Sequence, residues 1–265
     1  CSFSSYPLNV WEKEVDHYLE ALFKEIQQVS EMMKDYRLTT VYMGGGTPTS
    51  LNARQMDRLL CCLERYFDLN GIREFTIEAG RPDSLDMDKL RVMKAHGIER
   101  ISINPQTLNQ RTLDVIGRRH SVEDVERAFY MARQAGFSNI NMDLILGLPG
   151  ETSEDVMHTL SGVRAMGPES LTVHSLAVKR ASRLNQNLEQ YPPAPQEAVN
   201  RMIGMALETA EAMGMEPYYM YRQKNMAGKL ENVGYAKPGK ECLYNILIME
   251  EKQSIIALGA GGSTK

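Results

Sequence analysis

The stretch that decides the fold is "NINMDLILGLPG", residues 139–150, which combines a strand pattern with a turn. Side chains alternate between faces along a strand, so one face here is apolar and the other carries Asn141 and Asp143. Helices that cover the apolar face would leave this amide and carboxylate inside the protein. Because a buried polar group without a partner costs about 1–3 kcal/mol, something must satisfy both of them.

Length, composition and charge restrict the class of protein. The chain has 265 residues, of which 43% are hydrophobic, and this fits one large α/β domain or two small ones. The net charge of −4 gives no argument for a nucleic-acid partner. No apolar run approaches the roughly 20 residues of a membrane span. The cysteines lack zinc-site spacing, so we expect Cys61 and Cys62 to pack on a helix and Cys242 to be structural.

A repeated order of strand, turn and helix predicts parallel strands joined by right-handed crossovers. The predicted helices cover residues 11–35, 53–66, 86–95, 109–116, 121–135, 153–166 and 195–213. The predicted strands cover residues 39–43, 73–79, 100–104, 140–146 and 170–176. We expect a barrel domain over residues 1–190, followed by a helix and the start of a small α+β extension over residues 191–265.

Three more of these strands are also apolar on one face only. Their opposite faces carry Thr76 and Glu78, Ser102 and Asn104, and Thr172 and His174. A doubly wound sheet would be apolar on both faces, and a closed eight-stranded barrel would fill its interior with Val, Ile and Leu. The pattern therefore predicts an α/β fold of the partial, open TIM-type βα-barrel kind, with a polar interior for a large ligand. The alternative is that the interior side chains bond to one another and to buried water.

A glycine-rich turn, "MGGGTPTSL" at residues 43–51, directly follows the first predicted strand. Glycines let a backbone approach a ligand closely and expose its N–H groups. The pattern does not match a dinucleotide fingerprint, and a purely structural turn is the alternative.

Five motifs in order make the chain similar to a known family: "CSF", "GGGTPT", "EAGRPDSL", "ISINPQTLNQRTLDVIGRRH" and "NMDLILGLPGE". Together they resemble the radical S-adenosylmethionine (SAM) enzymes, and within these the oxygen-independent coproporphyrinogen III oxidase family, in a variant branch reading "EAGRPDS" and "INPQT". The resemblance implies a [4Fe–4S] cluster and SAM as cofactors. The family holds its cluster with C-x-x-x-C-x-x-C, so Cys1 would be the third ligand. The other two cysteines and the first barrel strand would then lie upstream, and we expect a fragment.

The resemblance also implies a set of SAM contacts. The backbone of Gly44, Gly45, Gly46 and Thr47 matches the loop that binds the methionine amino group. Glu78 matches a carboxylate near SAM, and Gln106 matches a ribose contact. Arg118 matches the arginine that pairs with the SAM carboxylate, with Arg119 as an exposed alternative, and Asp143 matches an acidic residue on the ribose.

The implied activity is the oxidative decarboxylation of coproporphyrinogen III to protoporphyrinogen IX in the cytoplasm. The implied partners are a porphyrinogen substrate and an electron donor such as a flavodoxin or ferredoxin. His174 is the one histidine predicted to face inward, as a proton carrier, a substrate contact or a core residue. Lys179 and Arg180 would meet a propionate or remain solvated.

Two alternatives remain open. The related haem chaperones deliver haem, and their C-terminal region carries His-Asn followed by an aromatic residue, whereas this chain reads "ECLYN" at 241–245. A radical SAM enzyme with another substrate is the second alternative.

Overall fold

The computed structural model describes residues 8–177, 194–222 and 231–265. The helices are α1 (Leu8–Met32), α2 (Ala53–Tyr66), α3 (Met87–Ala95), α4 (Gln110–Val115), α5 (Val122–Gln134), α6 (Ser153–Met166), α7 (Gln196–Ala212) and α8 (Leu243–Glu250). The strands are β1 (Thr40–Met43), β2 (Glu74–Glu78), β3 (Arg100–Ser102), β4 (Asn139–Leu146), β5 (Ser170–Ser175), β6 (Glu216–Tyr221) and β7 (Asn232–Ala236). None of these helices combines the length and apolar character that a membrane crossing requires.

The strands form one curled sheet in the order β1-β2-β3-β4-β5-β7-β6. Strands β1 to β5 are parallel, as the repeated strand–helix order predicts, whereas β7 is antiparallel to both β5 and β6. The sheet is a half-barrel, so the predicted partial βα barrel is confirmed. The C-terminal strands extend this same sheet; the division of the chain at residue 190 stays a prediction.

Capping fixes several helix starts where the sequence predicts them. Asn52 and Ser121 each accept a hydrogen bond from the backbone three residues later and complete a capping box. Gly167 takes the left-handed conformation that ends α6, with φ of 71°. The predicted bounds of α1 are wrong: it begins at Leu8 and ends at Met32. Strand β3 ends at Ser102, two residues earlier than predicted.

The two faces of the sheet differ as the alternation predicts. The convex face packs under the helices, and Ile77, Ile101 and Ile140 form a fully buried row in register across three strands. The concave face is polar, although Thr76 and Asn141 are also buried there. Hydrophobic burial therefore holds the helices on one side, and the other side is left for polar groups.

Helix α8 lies at the open side of the half-barrel and contacts both edge strands, β1 and β6. The Glu74 carboxylate holds its first turn, accepting hydrogen bonds from the N–H of Leu243 at 2.6 Å and of Tyr244 at 3.3 Å. The Tyr244 ring stacks on Tyr42 of β1 with centroids 4.2 Å apart. The C-terminal helix is thus attached to the same face of the sheet that carries the predicted site.

Candidate functional site

A hydrogen-bonded network of side chains covers the middle of the concave face. Asn141 donates from Nδ2 to Asp143 Oδ1 at 2.7 Å and to Ser102 Oγ at 3.0 Å, and its Oδ1 accepts from Thr172 at 3.3 Å. His174 Nε2 lies 3.8 Å from Asp143 Oδ2. The polar side chains of the interior therefore satisfy much of one another's hydrogen-bonding capacity. This agrees with the alternative interpretation of the sequence, in which the interior side chains bond to one another.

Asp143 remains charged and partly accessible within this network. Burial alone would raise the pKa of its carboxyl, but the nearby His174, together with Asn141 and Thr172, lowers the pKa below its ordinary value. The side chain keeps 22% of its exposure. Asp143 therefore offers an anionic hydrogen-bond acceptor at the surface of the concave face.

The glycine-rich turn is attached to Glu78, the last residue of β2. The Tyr42 hydroxyl donates to Glu78 Oε1 at 2.5 Å, and the Gly45 N–H donates to Oε2 at 3.3 Å. Burial raises the pKa of Glu78, and the charge of Asp143 adds to this increase. Glu78 and Asp143 thus face the same interior and lie close enough to affect each other's charge.

The first glycine of the turn is required by close packing. A Cβ on Gly44 would lie 2.6 Å from a Tyr42 ring carbon and 2.7 Å from the Glu78 carboxyl carbon. A Cβ on Gly45 or Gly46 would meet nothing within 4 Å. The turn therefore rests on Glu78 through Gly44 and presents the next two residues to open space.

Gln106 has a left-handed backbone, with φ of 68°, which is uncommon for a residue with a side chain. Its N–H donates to the Asp143 carbonyl at 3.0 Å, and its carbonyl accepts from the Ile145 N–H at 2.9 Å. These bonds hold Gln106 beside Asp143 even though β3 has ended. Strained residues of this kind cluster at binding sites.

The two adjacent arginines differ in environment. Arg118 is half-buried, and its side chain makes no hydrogen bond or ion pair with the residues that the structure describes, whereas Arg119 is exposed. Burial lowers the pKa of Arg118, as does the positive charge of Arg81, while Asp83 and Asp143 oppose this. Among the described residues, the Arg118 guanidinium therefore has no partner, and it lies within the electrostatic range of Asp143.

A buried network that the sequence analysis missed joins the loops after β3 and β4. Thr107 Oγ1 donates to Glu151 Oε1 at 2.6 Å, and Asn109 Nδ2 donates to the same oxygen at 3.1 Å. Thr159 of α6 accepts from the Leu108 N–H at 3.1 Å. The network fixes the segment that follows Gln106. No periodic pattern marks it, because Thr107 and Glu151 are 44 residues apart.

Other interior residues were also missed. Arg100 is buried on the concave face, where its Nη2 donates to Ser170 Oγ at 3.3 Å. Cys242 is buried, and this burial is the main reason that the pKa of its thiol is raised to about 12. A buried, protonated thiol fits the structural role expected of Cys242. His174 lies beside Asp143 on the concave face, and a second histidine, His120, is also buried, with 1% exposed. Cys1, Lys179 and Arg180 lie outside the described residues.

A half-barrel whose polar groups collect beneath a glycine-rich turn at the carboxyl end of its parallel strands has the architecture in which βα barrels build their active sites. The profile of the radical SAM superfamily matches residues 1–161. The chain belongs to the radical SAM superfamily.

Two curated proteins are similar to all or nearly all of this chain. The oxygen-independent coproporphyrinogen-III oxidase-like protein HemZ of Bacillus subtilis is 47% identical over 268 residues, covering 100% of this chain and 54% of that protein. The haem chaperone HemW of the same organism is 32% identical over 266 residues, covering 98% of this chain and 65% of that protein. The chain thus spans about half to two thirds of the length of these relatives.

The fold matches that of a solved radical SAM enzyme, the coproporphyrinogen III oxidase HemN from Escherichia coli. The TM-score is 0.78 at 23% sequence identity, over 95% of this chain and 58% of that one. At this identity the likeness establishes the shared fold.

The described residues fit SAM by their chemistry. Arg118, whose side chain has no partner among the described residues, suits a carboxylate. The ionised Asp143 suits ribose hydroxyls. The open backbone of the glycine-rich turn allows an amino group to approach closely. The cluster ligand that the resemblance assigns, Cys1, lies outside the described residues, so this fit concerns the SAM contacts.

Proposed function

We propose that this chain forms the barrel of a radical SAM enzyme that oxidatively decarboxylates coproporphyrinogen III to protoporphyrinogen IX. The observation that carries the proposal is that Glu78 and Asp143 face one polar interior beneath the glycine-rich turn, with Arg118 near them. The choice of substrate rests on the 47% identical relative, which is named as coproporphyrinogen-III oxidase-like.

Each residue has a role in holding SAM. The backbone of Gly44–Thr47 receives the amino group, and Arg118 pairs with the carboxylate through two parallel hydrogen bonds. Asp143 and Gln106 hold the ribose. Glu78 supports the turn from below through the Gly45 N–H, and Tyr42 fixes the orientation of that carboxylate.

A [4Fe–4S] cluster and SAM, when bound, supply the one-electron chemistry that removes a hydrogen atom from a substrate propionate. The propionate then loses CO₂ and one electron to an acceptor, and a vinyl group remains. The residues of this chain bind and orient SAM and the substrate, and they enclose both molecules. His174 lies at the exposed edge of the network, where Tyr221 Oη is 3.3 Å from its Nδ1, and this position suits contact with the substrate.

A haem chaperone is the second candidate, and the observation that favours it is the 32% identical HemW, which aligns with 98% of this chain. The C-terminal sequence argues for the enzyme. By the family resemblance, the segment that carries His-Asn in the chaperones corresponds to "ECLYN" here, and its Cys242 is buried while Tyr244 stacks on Tyr42. Cysteine thiolates and tyrosines also ligate haem, but burial raises the pKa of the Cys242 thiol and Tyr244 is stacked on Tyr42, so neither side chain is placed to replace that histidine.

The deciding experiment uses the full-length protein, anaerobically reconstituted with its cluster, together with SAM, a reductant and coproporphyrinogen III. We expect 5′-deoxyadenosine, CO₂ and protoporphyrinogen IX to form together, and the Asp143→Ala variant to form none of them. SAM cleavage without CO₂ release would reject this substrate. Stoichiometric haem binding without turnover would reject the enzyme in favour of the chaperone.

A further inference from the structure

A second cluster of ligand-type side chains lies on the outer helical layer, away from the concave face. Asp57, Cys61 and Glu64 occupy positions i, i+4 and i+7 of α2, so they share one face of that helix. His96, directly after α3, packs against this face with only 10% of its side chain exposed. Helices α2 and α3 contact each other here.

The two nitrogens of the His96 ring have separate partners. Nε2 lies 3.0 Å from Asp57 Oδ1, and Nδ1 lies 2.7 Å from Glu64 Oε1. The ligand atoms of Asp57, Cys61 and His96 all lie within 4.8 Å of one another. Each ring nitrogen therefore faces its own carboxylate, and the Cys61 thiol lies within 4.8 Å of one of the two nitrogens.

We propose that Asp57, Cys61 and His96 form a binding site for a divalent transition-metal cation of the zinc type. Zinc bonds of about 2.0 Å to nitrogen or oxygen and about 2.3 Å to sulfur place tetrahedral ligand atoms roughly 3.3–3.5 Å apart. The ligand atoms of Asp57, Cys61 and His96 lie within 4.8 Å of one another, so side-chain shifts of about an ångström would bring them to these distances. The mixed nitrogen, sulfur and oxygen set favours zinc over the hard cations magnesium and calcium.

Glu64 completes the arrangement as a positioning residue. Metal-bound histidines commonly give their other ring N–H to a carboxylate, which fixes the ring and increases its basicity. Glu64 also lines a cleft of about 490 Å³ together with His96. Asp57 and Cys61 are exposed, so solvent and ions reach their side of the cluster directly.

The electrostatic field of the cluster is that of a cation site. Two carboxylates, Asp57 and Glu64, lie within 3.0 Å of the two ring nitrogens of His96, and the Cys61 thiol lies beside them. This concentration of negative charge and ligand atoms favours a bound cation.

The alternative explanation is a double ion pair in which protonated His96 bridges Asp57 and Glu64, and Cys61 takes no part. The two explanations differ in what they require of the thiol. Cys62 provides a matched control, because it is the neighbouring cysteine on the same helix and is outside the cluster.

The test is equilibrium dialysis of the cluster-loaded protein against Zn²⁺, with zinc and iron counted separately by elemental analysis. We expect the wild type and Cys62→Ser to hold one zinc per chain, and Cys61→Ser and His96→Gln to bind it about tenfold or more weaker. Glu64→Gln should weaken binding by roughly 10- to 100-fold. X-ray absorption of the zinc edge should show one sulfur ligand in the wild type.

Two results would overturn the proposal. One is unchanged zinc affinity in both Cys61→Ser and His96→Gln. The other is an equal loss of affinity in Cys62→Ser. Because Cys61 is exposed, Cys61→Ser should fold normally, and circular dichroism of the metal-free protein checks this.

Discussion

The Tyr42 hydroxyl donates a 2.5 Å hydrogen bond to one oxygen of Glu78, while the other oxygen accepts the N–H of Gly45. This relationship connects β1, β2 and the glycine-rich turn through one carboxylate. Tyr42 also stacks on Tyr244, so the C-terminal helix is coupled to the same group.

Gly44→Ala should destabilise the protein. The added Cβ would lie 2.6 Å from the Tyr42 ring and 2.7 Å from the Glu78 carboxyl carbon, and overpacking of this kind costs about 1–3 kcal/mol. Gly46→Ala is the control, because its Cβ would meet nothing within 4 Å. Urea unfolding of both variants measures the difference, and equal midpoints would show that the turn does not rest on Glu78.

Glu78→Gln should change how stability depends on pH. Because the folded pKa of Glu78 is raised above its unfolded value of about 4.3, the wild type loses stability as the pH rises from that value to the folded pKa. The glutamine variant lacks this loss. We therefore expect the stability of the variant relative to the wild type to increase between pH 4.5 and pH 8 in denaturant titrations. A difference that does not vary with pH contradicts the assignment.

Arg118→Ala should weaken SAM binding without weakening the fold. Charged hydrogen bonds contribute about 1.5–3 kcal/mol, which corresponds to roughly a 10- to 150-fold increase in Kd. Arg118 has no ion pair among the described residues that its loss would break. Arg119→Ala, an exposed neighbour, should bind SAM like the wild type in equilibrium titrations of the cluster-loaded protein. The reverse order of effects would assign the role to Arg119.

Thr107→Val should destabilise the loop that carries Gln106. Removing the hydroxyl leaves the buried Glu151 carboxylate without its 2.6 Å donor, at a cost of about 1–3 kcal/mol. Thr107→Ser keeps the hydroxyl and should retain most of the stability. Thermal unfolding separates the two variants, and the network would be unimportant if both melted like the wild type.

Glu74→Ala should loosen α8. The carboxylate accepts from the N–H of Leu243 and of Tyr244, and the loss of a helix cap costs about 0.5–2 kcal/mol. Hydrogen exchange across residues 243–250 should accelerate. Glu250→Ala, which removes an exposed ion pair at the other end of the helix, should change exchange little. Unchanged protection in Glu74→Ala would show that α8 is held by packing alone.

The parallel half of the fold could be predicted from sequence because each strand has an apolar face and a polar face. The C-terminal strands could not. Strand β6 contains Pro217 and has no buried residue, and β7 contains Gly234, whose added Cβ would lie 1.9 Å from the Tyr219 ring. Such a close backbone approach depends on the partner strand, which the local pattern does not contain.

The candidate site was predictable in part for the same reason. Alternation puts Glu78 and Asp143 on the inner face, and Tyr42 aligns with Thr76 on that face, so it could have been found in the same way. Arg118 and Gln106 could be predicted as site residues only from the family resemblance. The Cys61–His96 cluster needed coordinates, because the two residues are separated by 35 positions and lie on different helices.

The central claim is that the concave face beneath Gly44–Thr47 binds SAM. A crystal structure of the cluster-loaded protein with SAM tests it most directly. We predict the SAM carboxylate within hydrogen-bond distance of Arg118 and the ribose within that distance of Asp143 and Gln106. SAM bound on another surface, or on the concave face without contact to any of these three residues, would contradict the account.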